Sequence, residues 1–365
     1  MFTTDYNQII ALIQNIDPIE YGKTRNYLNG AVTKLSPYIS RGVISTKQVA
    51  KVIFDKGYKP FEVESFLKEL AWRDYFQQVW IAKQTEIDKD LKQVQPIVQN
   101  NEISTAIISA NTGIQAIDNA LEDLFCNGYM HNHMRMYVAS LCCNVAKSHW
   151  FNPAKWMYYY LLDADWASNA LSWQWVAGSF SNKKYVANQE NINKYCNTNQ
   201  SKTFLDIPYE MFEKIDIPTE LKDLSNIHFK TNLPDKTAIK INEELPTCVY
   251  NFYNLDPMWM NSQECNRVLI FEPSFYKIYP ACNNTINFIM QLSKNILGIQ
   301  IFVGEFDELV NAAGKSEIHF KEHPTNKHYK GVLHNRHWMF ENVKGYYPSF
   351  FSFWKAALNA QKKMK

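Results

Sequence analysis

The spacing of apolar residues changes once along the chain, near Pro246. From about residue 5 to residue 195, apolar positions recur every three or four residues, a period typical of α-helices. After Pro246, short apolar runs alternate with helical patterns, an order typical of a small parallel α/β layer. We therefore predict a mainly α fold in which a helical body is followed by a smaller C-terminal α/β domain. The predicted strands lie at 247–253, 267–271, 298–303 and 317–321, with helices at 284–297 and 306–313.

The predicted domain boundaries follow this change. The helical domain covers 1–200, a linker with widely spaced prolines covers 201–244, and the α/β domain covers 245–365. Glycine and proline number only 12 and 14 among the 365 residues, as a helical body requires. A single short helix near 209–214 is expected inside the linker.

Charge and cysteine usage exclude several classes of protein. A net charge of +2 excludes a chain that coats nucleic acid by bulk charge, although a local basic groove remains possible. The chain lacks an apolar run of about 18 residues and shows neither a signal segment nor a membrane span. Seven scattered cysteines are typical of free thiols in a reducing compartment. We expect a cytoplasmic, monomeric protein with no membrane partner.

The most informative segment runs from Leu161 to Trp175. Within a helix, Asp165, Asn169 and Trp173 fall on one face, so a carboxylate, an amide and an indole share one stripe. A surface stripe beside core tryptophans explains this pattern as well as a binding site does. The apolar surroundings favour a site, because buried polar groups require partners.

A second stripe lies between residues 61 and 83. Glu69, Trp72, Arg73, Phe76 and Trp80 accompany its apolar face. Glu69 and Arg73 are spaced for an ion pair within one helix, and the two tryptophans are equally compatible with a core. A wall of indoles beside a carboxylate is also what a pocket for a flat, hydrogen-bonding base requires.

Two shorter segments complete the set. In residues 129–136, His131 and His133 do not face each other on a helix, so no metal site is predicted there. In residues 31–38, hydroxyls and backbone N–H groups near a helix start are suited to binding phosphate. Five histidines between residues 319 and 337 match no standard set of metal ligands, and no metal is expected.

Together and in this order, the four segments resemble the flavin-binding helical domain of the DNA photolyase/cryptochrome family, over about residues 20–180. The resemblance implies a bent FAD in the helical bundle, with Asn169 at the flavin N5, an Arg135–Asp163 pair beside the ring and Asp165 at its edge. The implied FAD-binding residues are Tyr21, Val32, Thr33, Lys34, Leu35, Ser36, Phe66, Arg73, Arg135, Asp163, Ala164, Asp165 and Asn169.

The resemblance also implies an activity, namely light-driven repair of cyclobutane pyrimidine dimers in DNA by an electron from excited reduced flavin. Glu69 and Asn169 are then catalytic, and Trp173 followed by Trp150 donates electrons during photoreduction. The residues implied to contact the flipped-out dimer or DNA are Arg25, Glu69, Trp72, Arg73, Asn132, His133, Met136 and Trp175.

The chain also departs from the family pattern. The sequence starts almost directly in the helical part, so we expect neither the usual N-terminal antenna domain nor an antenna chromophore. The α/β segment at 245–365 comes last and is a candidate for an antenna-like domain. His133 stands where arginine is usual, and the outermost relay tryptophan falls near Ile97, so Trp156 or a tyrosine among 158–160 is the expected terminal donor. Two alternatives stay open: a cryptochrome-like blue-light photoreceptor without repair, and a flavin-binding interaction protein whose α/β domain recruits a protein partner.

Overall fold

The computed structural model describes the backbone of residues 2–362 and the side chains of residues 2–360. Its helices follow the predicted helical body and then continue into the C-terminal region. They are α1 (Tyr6–Gln14), α2 (Pro18–Thr24), α3 (Ser36–Ser40), α4 (Thr46–Asp55), α5 (Glu64–Lys83), α6 (Thr105–Ile108), α7 (Gln115–Asn127), α8 (Asn132–Ser140), α9 (Phe151–Tyr160), α10 (Trp166–Ala177), α11 (Gln189–Cys196), α12 (Pro273–Ile278), α13 (Asn283–Ser293), α14 (Phe306–Ala313) and α15 (Phe350–Lys362).

The strands form a two-stranded ribbon and a five-stranded sheet. The ribbon pairs β1 (Ile103–Ser104) with β2 (Leu224–Ser225) in antiparallel register. The sheet consists of β3 (Thr247–Tyr250), β4 (Asn266–Phe271), β5 (Ile299–Val303), β6 (Ile318–Lys321) and β7 (Val332–His334), all parallel. The predicted fold class, a mainly helical chain with a smaller C-terminal α/β layer, is confirmed.

The order of the strands in the sheet is β5-β4-β3-β6-β7. The chain therefore enters at the centre, moves to one edge and then crosses back past β3, as in doubly wound sheets. The first strand of the sheet, β3, ends at Tyr250, three residues before its predicted end. It ends there because Asn251 and Asn254 exchange backbone hydrogen bonds in a tight turn. The sequence analysis did not predict β7, α12 or α15.

The chain folds into two compact units made of interleaved segments. The first unit contains 1–18, 33–82 and 230–365, and the second contains 19–32 and 83–229. Much of the N-terminal helical segment thus belongs to the unit that holds the sheet. The predicted linear boundaries at residues 200 and 244 stay a prediction.

The second unit is helical, with α10 packed against α8 and α9. Trp156 on α9 and Leu171 on α10 are fully buried. After α8 the backbone widens into a π-helix over Leu141–Val145, and Asn144 there donates to the carbonyls of Val176 and Tyr185. The helix α9 begins at Phe151, and Asn152 and Pro153 lie in its first turn.

In the first unit, the helix α5 carries a mixture of polar and aromatic residues that are buried on several sides. Residues 336–354 run along it and supply partners one after another. Arg336 donates to Gln77 at 2.6 Å, Met339 N donates to Asp74 at 2.8 Å, and Gly345 N donates to Gln78 at 2.9 Å. These contacts explain why α5 clusters with the C-terminal region.

Candidate functional site

Asp165 caps the helix α10 in the second unit. Its carboxylate accepts the Ser168 N–H at 2.8 Å, which satisfies a free backbone donor of the first turn. Asp165 therefore precedes the helix, and only Asn169 and Trp173 share a true helical face. The sequence analysis placed all three residues within the helix. In the structure, Asp165 is instead the N-cap residue that precedes it.

The Arg135 and Asp163 side chains form an ion pair, with 3.0 Å between Arg135 Nη2 and Asp163 Oδ2. The Asp163 side chain is only 3% exposed, whereas that of Arg135 is 21% exposed. A second contact, from Arg135 Nε to the Met130 carbonyl at 2.8 Å, fixes the orientation of the guanidinium. Burying a charged pair costs free energy unless hydrogen bonds compensate for the lost water. The burial of this pair therefore indicates that the unit positions both side chains specifically.

Asn169 is buried and oriented by the backbone of the neighbouring helix α9. Its amide nitrogen donates to the Ala154 carbonyl at 2.7 Å. With the nitrogen committed in this direction, the amide oxygen points elsewhere and is suited to accept a hydrogen bond from a ligand N–H. On the same helix, Trp173 is buried with 2% of its surface exposed.

Trp150 is fully buried at the start of α9. Its indole N–H donates to Asp90 at 2.8 Å, and its backbone N–H donates to Gln95 at 2.9 Å. The hydrogen bond from the indole to the Asp90 carboxylate stabilises positive charge on the indole. This property suits an electron donor.

The alternative terminal donors form a row of rings. The centroid of Trp156 lies 6.0 Å from that of Tyr160, which lies 5.0 Å from that of Tyr159. Trp156 is fully buried, whereas both tyrosines are partly exposed. Ile97, near the usual outer position, is exposed.

His133 is held within the second unit by two contacts. Its Nδ1 lies 2.8 Å from the Asn26 carbonyl and its Nε2 lies 3.2 Å from the Tyr185 hydroxyl. Burial lowers the pKa of the His133 imidazole, and the nearby Arg25 charge lowers it further. The ring is therefore neutral at pH 7 and engaged with protein groups, which makes it a weak partner for a phosphate.

The other residues predicted to contact DNA in this unit differ in exposure. Asn132 opens α8 and is exposed, Met136 on the same helix is half-buried, and Arg25 is half-buried just after α2. Trp175 is 40% exposed, with its ring 5.8 Å from that of Tyr185. A half-exposed indole on a rigid helix can stack on a base.

The predicted phosphate-binding segment is divided between the two units. Thr33, Lys34, Leu35 and Ser36 belong to the first unit. Lys34 is exposed and adopts a positive φ of 52°, and the chain then enters the short helix α3 at Ser36. Tyr21 and Val32, both half-buried, belong to the second unit, as does the buried Ala164.

On α5 in the first unit, Arg73 donates to the Ser40 hydroxyl at 2.8 Å. Phe66 is buried in the core of the unit, and Glu69 is half-buried. Trp72 is also half-buried, and its ring stacks on that of Phe350 with 3.8 Å between centroids and an angle of 9°.

The sequence analysis did not identify Phe350, Ala154 or Asp90 as neighbours of these residues. Phe350 is 278 positions from Trp72, and no spacing rule connects residues so far apart. Ala154 contributes only a backbone carbonyl, for which side-chain identity gives no signal. Asp90 lies in an irregular segment without a period.

The described part of the chain contains no cluster of three or more histidine, cysteine, aspartate or glutamate side chains arranged to hold a metal ion. Its seven cysteines are free thiols. None of the helices in this part combines the length and apolarity needed to cross a bilayer.

Part of the chain is similar to known proteins. Residues 66–210 match the FAD binding domain of DNA photolyase. The deoxyribodipyrimidine photo-lyase of Alkalihalophilus pseudofirmus is 30% identical over 149 residues, which cover 40% of this chain and 31% of that protein. Cryptochrome-1 of Arabidopsis thaliana is 26% identical over 179 residues, which cover 46% and 26% of the two chains.

Among solved structures, the cryptochrome of Synechocystis sp. PCC6803 matches with a TM-score of 0.47 and 22% identity, over 53% of this chain and 44% of that one. The matched part of this chain spans about a third of the length of the photo-lyases named in the comparison. The matched residues include the Arg135–Asp163 pair, Asn169 and Trp173. Residues 66–210 are therefore similar to the FAD-binding domain of the DNA photolyase/cryptochrome family.

Proposed function

We propose that this protein repairs cyclobutane pyrimidine dimers in DNA with blue light and a reduced FAD cofactor. The observation that carries the proposal is the buried Arg135–Asp163 ion pair, at 3.0 Å, within the segment that matches the FAD-binding domain. The Arg135 guanidinium is partly buried and its orientation is fixed by Asp163, so its N–H groups can donate to a flavin ring, whose edge carries alternating donors and acceptors.

The donor and acceptor chemistry of the second unit fits a flavin. Asn169 presents an amide oxygen once its nitrogen is bound to Ala154, and this oxygen suits the N5–H of a reduced flavin. Arg135 supplies a cation beside the flavin ring, and Ala164 and Asp165 are assigned to contacts with the edge of the ring. On the basis of the resemblance, we assign the phosphates to Thr33–Ser36 and keep Tyr21, Val32 and Phe66 as further cofactor-binding residues.

The chemistry that a bound, reduced FAD supplies is light-driven donation of one electron. The protein groups orient the reactants and exclude water. The Asn169 amide oxygen would favour the protonated form of N5 by accepting a hydrogen bond from its N–H. The Glu69 carboxyl hydrogen-bonds a dimer carbonyl, where negative charge develops.

The substrate side requires flat, apolar surfaces and phosphate contacts. Trp72 and Trp175 offer indole faces for a flipped-out dimer, and Met136 with Asn132 completes the lining. Arg25 and Arg73 are assigned to backbone phosphates, with His133 contributing little because its ring is neutral and engaged. Trp173, then Trp150, and a terminal member among Trp156, Tyr159 and Tyr160 supply electrons for photoreduction.

The test is repair of a thymine-dimer oligonucleotide by purified, flavin-reduced protein under blue light and in darkness. We expect restored thymines only in light. Glu69→Ala should lower the rate by roughly a hundredfold, because a hydrogen bond to developing charge is lost. Glu122→Ala, which changes an exposed carboxylate of the second unit, serves as the control. Equal repair by both variants would remove Glu69 from the mechanism, and no repair at all would reject the enzyme proposal.

A second candidate function is a blue-light photoreceptor that binds FAD without repair. Two observations favour it: His133 is engaged with Asn26 and Tyr185, and the Trp72 face is covered by Phe350. A protein with bound, photoreducible flavin that neither binds dimers nor repairs them would support this candidate.

A further inference from the structure

The C-terminal helix α15 covers the face of a residue that the proposed function assigns to substrate. The rings of Phe350 and Trp72 are parallel within 9° and 3.8 Å apart. This is the geometry in which a nucleobase stacks on an aromatic side chain. Phe350 therefore already occupies one stacking position on Trp72.

Further contacts hold the helix in this position. The Trp354 indole donates to Glu64 at 3.3 Å, and Lys68 lies 5.9 Å above the Trp354 ring. On the next turn of α5, the Tyr75 ring lies 5.8 Å from that of Phe353. The helix is thus fitted to the surface of α5 from Glu64 to Tyr75.

The segment before α15 is attached to α5 independently. Its backbone N–H groups at Met339 and Gly345 donate to Asp74 and Gln78. Gly345 has a positive φ of 95°, and an added side chain there would meet no atom within 4 Å. Residues 345–349 join this hydrogen-bonded segment to α15, and the Tyr347 carbonyl among them accepts a hydrogen bond from the Tyr75 hydroxyl at 3.2 Å.

We infer that α15 is an intramolecular competitor of the substrate, in which Phe350 masks Trp72 until a dimer-containing strand displaces it. The inference rests on the proposed function, since it concerns regulation of the same site. A ligand that stacks on Trp72 binds only the open state, so its apparent affinity is reduced by the fraction of molecules that are closed.

The neighbouring residue provides a matched control. Phe351 has the same side chain on the same helix but is 72% exposed, whereas Phe350 is 3% exposed. Phe350→Ala removes the stacked ring, and Phe351→Ala changes composition without touching Trp72. Phe350→Leu removes the ring while keeping an apolar side chain, and it replaces Phe350→Ala if that variant fails to fold.

The first measurement needs no DNA. Hydroxyl-radical labelling of the full-length protein, followed by mass spectrometry, reports the accessibility of Trp72. We expect faster labelling of Trp72 in Phe350→Ala than in the wild type, and the wild-type rate in Phe351→Ala. An unchanged labelling rate of Trp72 in a folded Phe350 variant would overturn the inference that Phe350 covers Trp72.

The second measurement is binding of a labelled thymine-dimer duplex, followed by anisotropy. Loss of the mask should tighten binding by about tenfold in Phe350→Ala, the scale of one base–aromatic stack, with no change in Phe351→Ala. Adding Trp72→Ala to the Phe350 variant should remove this gain.

The outcomes separate the two proposals. Equal or weaker binding by Phe350→Ala, with dimer-specific binding retained in the wild type, overturns the competitor inference and leaves the repair proposal intact. If neither protein distinguishes dimer from undamaged DNA, although Trp72 is exposed in the variant, the proposed function fails and the regulatory inference fails with it.

Discussion

The two compact units hold their candidate site residues in different ways. In the second unit, Asn169 is oriented by a backbone carbonyl only 15 positions away, and Arg135 pairs with Asp163 across 28 positions. In the first unit, three polar residues of α5, namely Asp74, Gln77 and Gln78, have partners more than 250 positions away, although Arg73 pairs with the nearby Ser40. The cofactor side is thus built from nearby sequence, whereas the surface of α5 depends on the C-terminal region.

This difference predicts how each unit responds to damage. A variant in the second unit should disturb flavin binding through a local pair. A variant at Asp74, Gln77 or Gln78 in the first unit should disturb the attachment of residues 336–354, and flavin binding less.

The largest effect is expected from Asp163→Ala. The change leaves the Arg135 guanidinium without its carboxylate in a largely buried position, which costs about 3 kcal/mol of unfolding free energy. We also expect loss of bound FAD. Denaturant unfolding and the flavin content of the purified protein measure both effects.

Glu190→Ala is the control for Asp163→Ala, because it removes an exposed carboxylate from the same unit. It should change stability by no more than about 0.5 kcal/mol. If Asp163→Ala is equally mild and keeps its FAD, the ion pair does not organise the cofactor side.

The stability of the first unit should depend on pH through Asp74. Burial raises the pKa of Asp74 to about 6, against the lowering effect of its hydrogen bonds from Met339 and Thr46. The folded state therefore holds a proton that the unfolded state releases between about pH 4 and pH 6. Stability from this group is present below pH 4 and lost as the pH rises to 6, up to about 3 kcal/mol for a shift of two units.

Asp74→Asn tests this sign. The difference in unfolding free energy between the wild type and Asp74→Asn should fall as the pH rises from 4 to 6 and level off above it. Denaturant unfolding at each pH provides the measurement. A difference that is constant across this range would show that Asp74 does not titrate within it.

The smallest effect is expected from Gln78→Ala, which removes the acceptor of the Gly345 N–H. Gly345 is exposed, so water can replace the lost acceptor, but Gln78 itself is buried and its packing is lost as well, so the cost is about 1 kcal/mol. Hydrogen exchange at Gly345 should nevertheless accelerate. Gln263→Ala, at an exposed glutamine of the same unit, should leave this exchange rate unchanged.

The sequence predicted what local periodicity and motif spacing encode. Helices and the parallel strands could be anticipated because local periodicity determines them, whereas the Arg135–Asp163 pair was implied only by the resemblance to the family. The cap at Asp165 and the early end of β3 were missed, because hydrogen bonds of individual side chains and turns decide them. The Phe350–Trp72 stack was beyond prediction, since nothing in either segment identifies the other.

The most direct test of the account is the flavin content of the full-length protein. The chain is purified in the presence of excess FAD and freed of unbound cofactor, and its visible absorption spectrum is recorded. The account predicts a flavin spectrum with one FAD per chain, lost in Asp163→Ala and retained in Glu190→Ala. A folded wild-type protein that holds no FAD would contradict it.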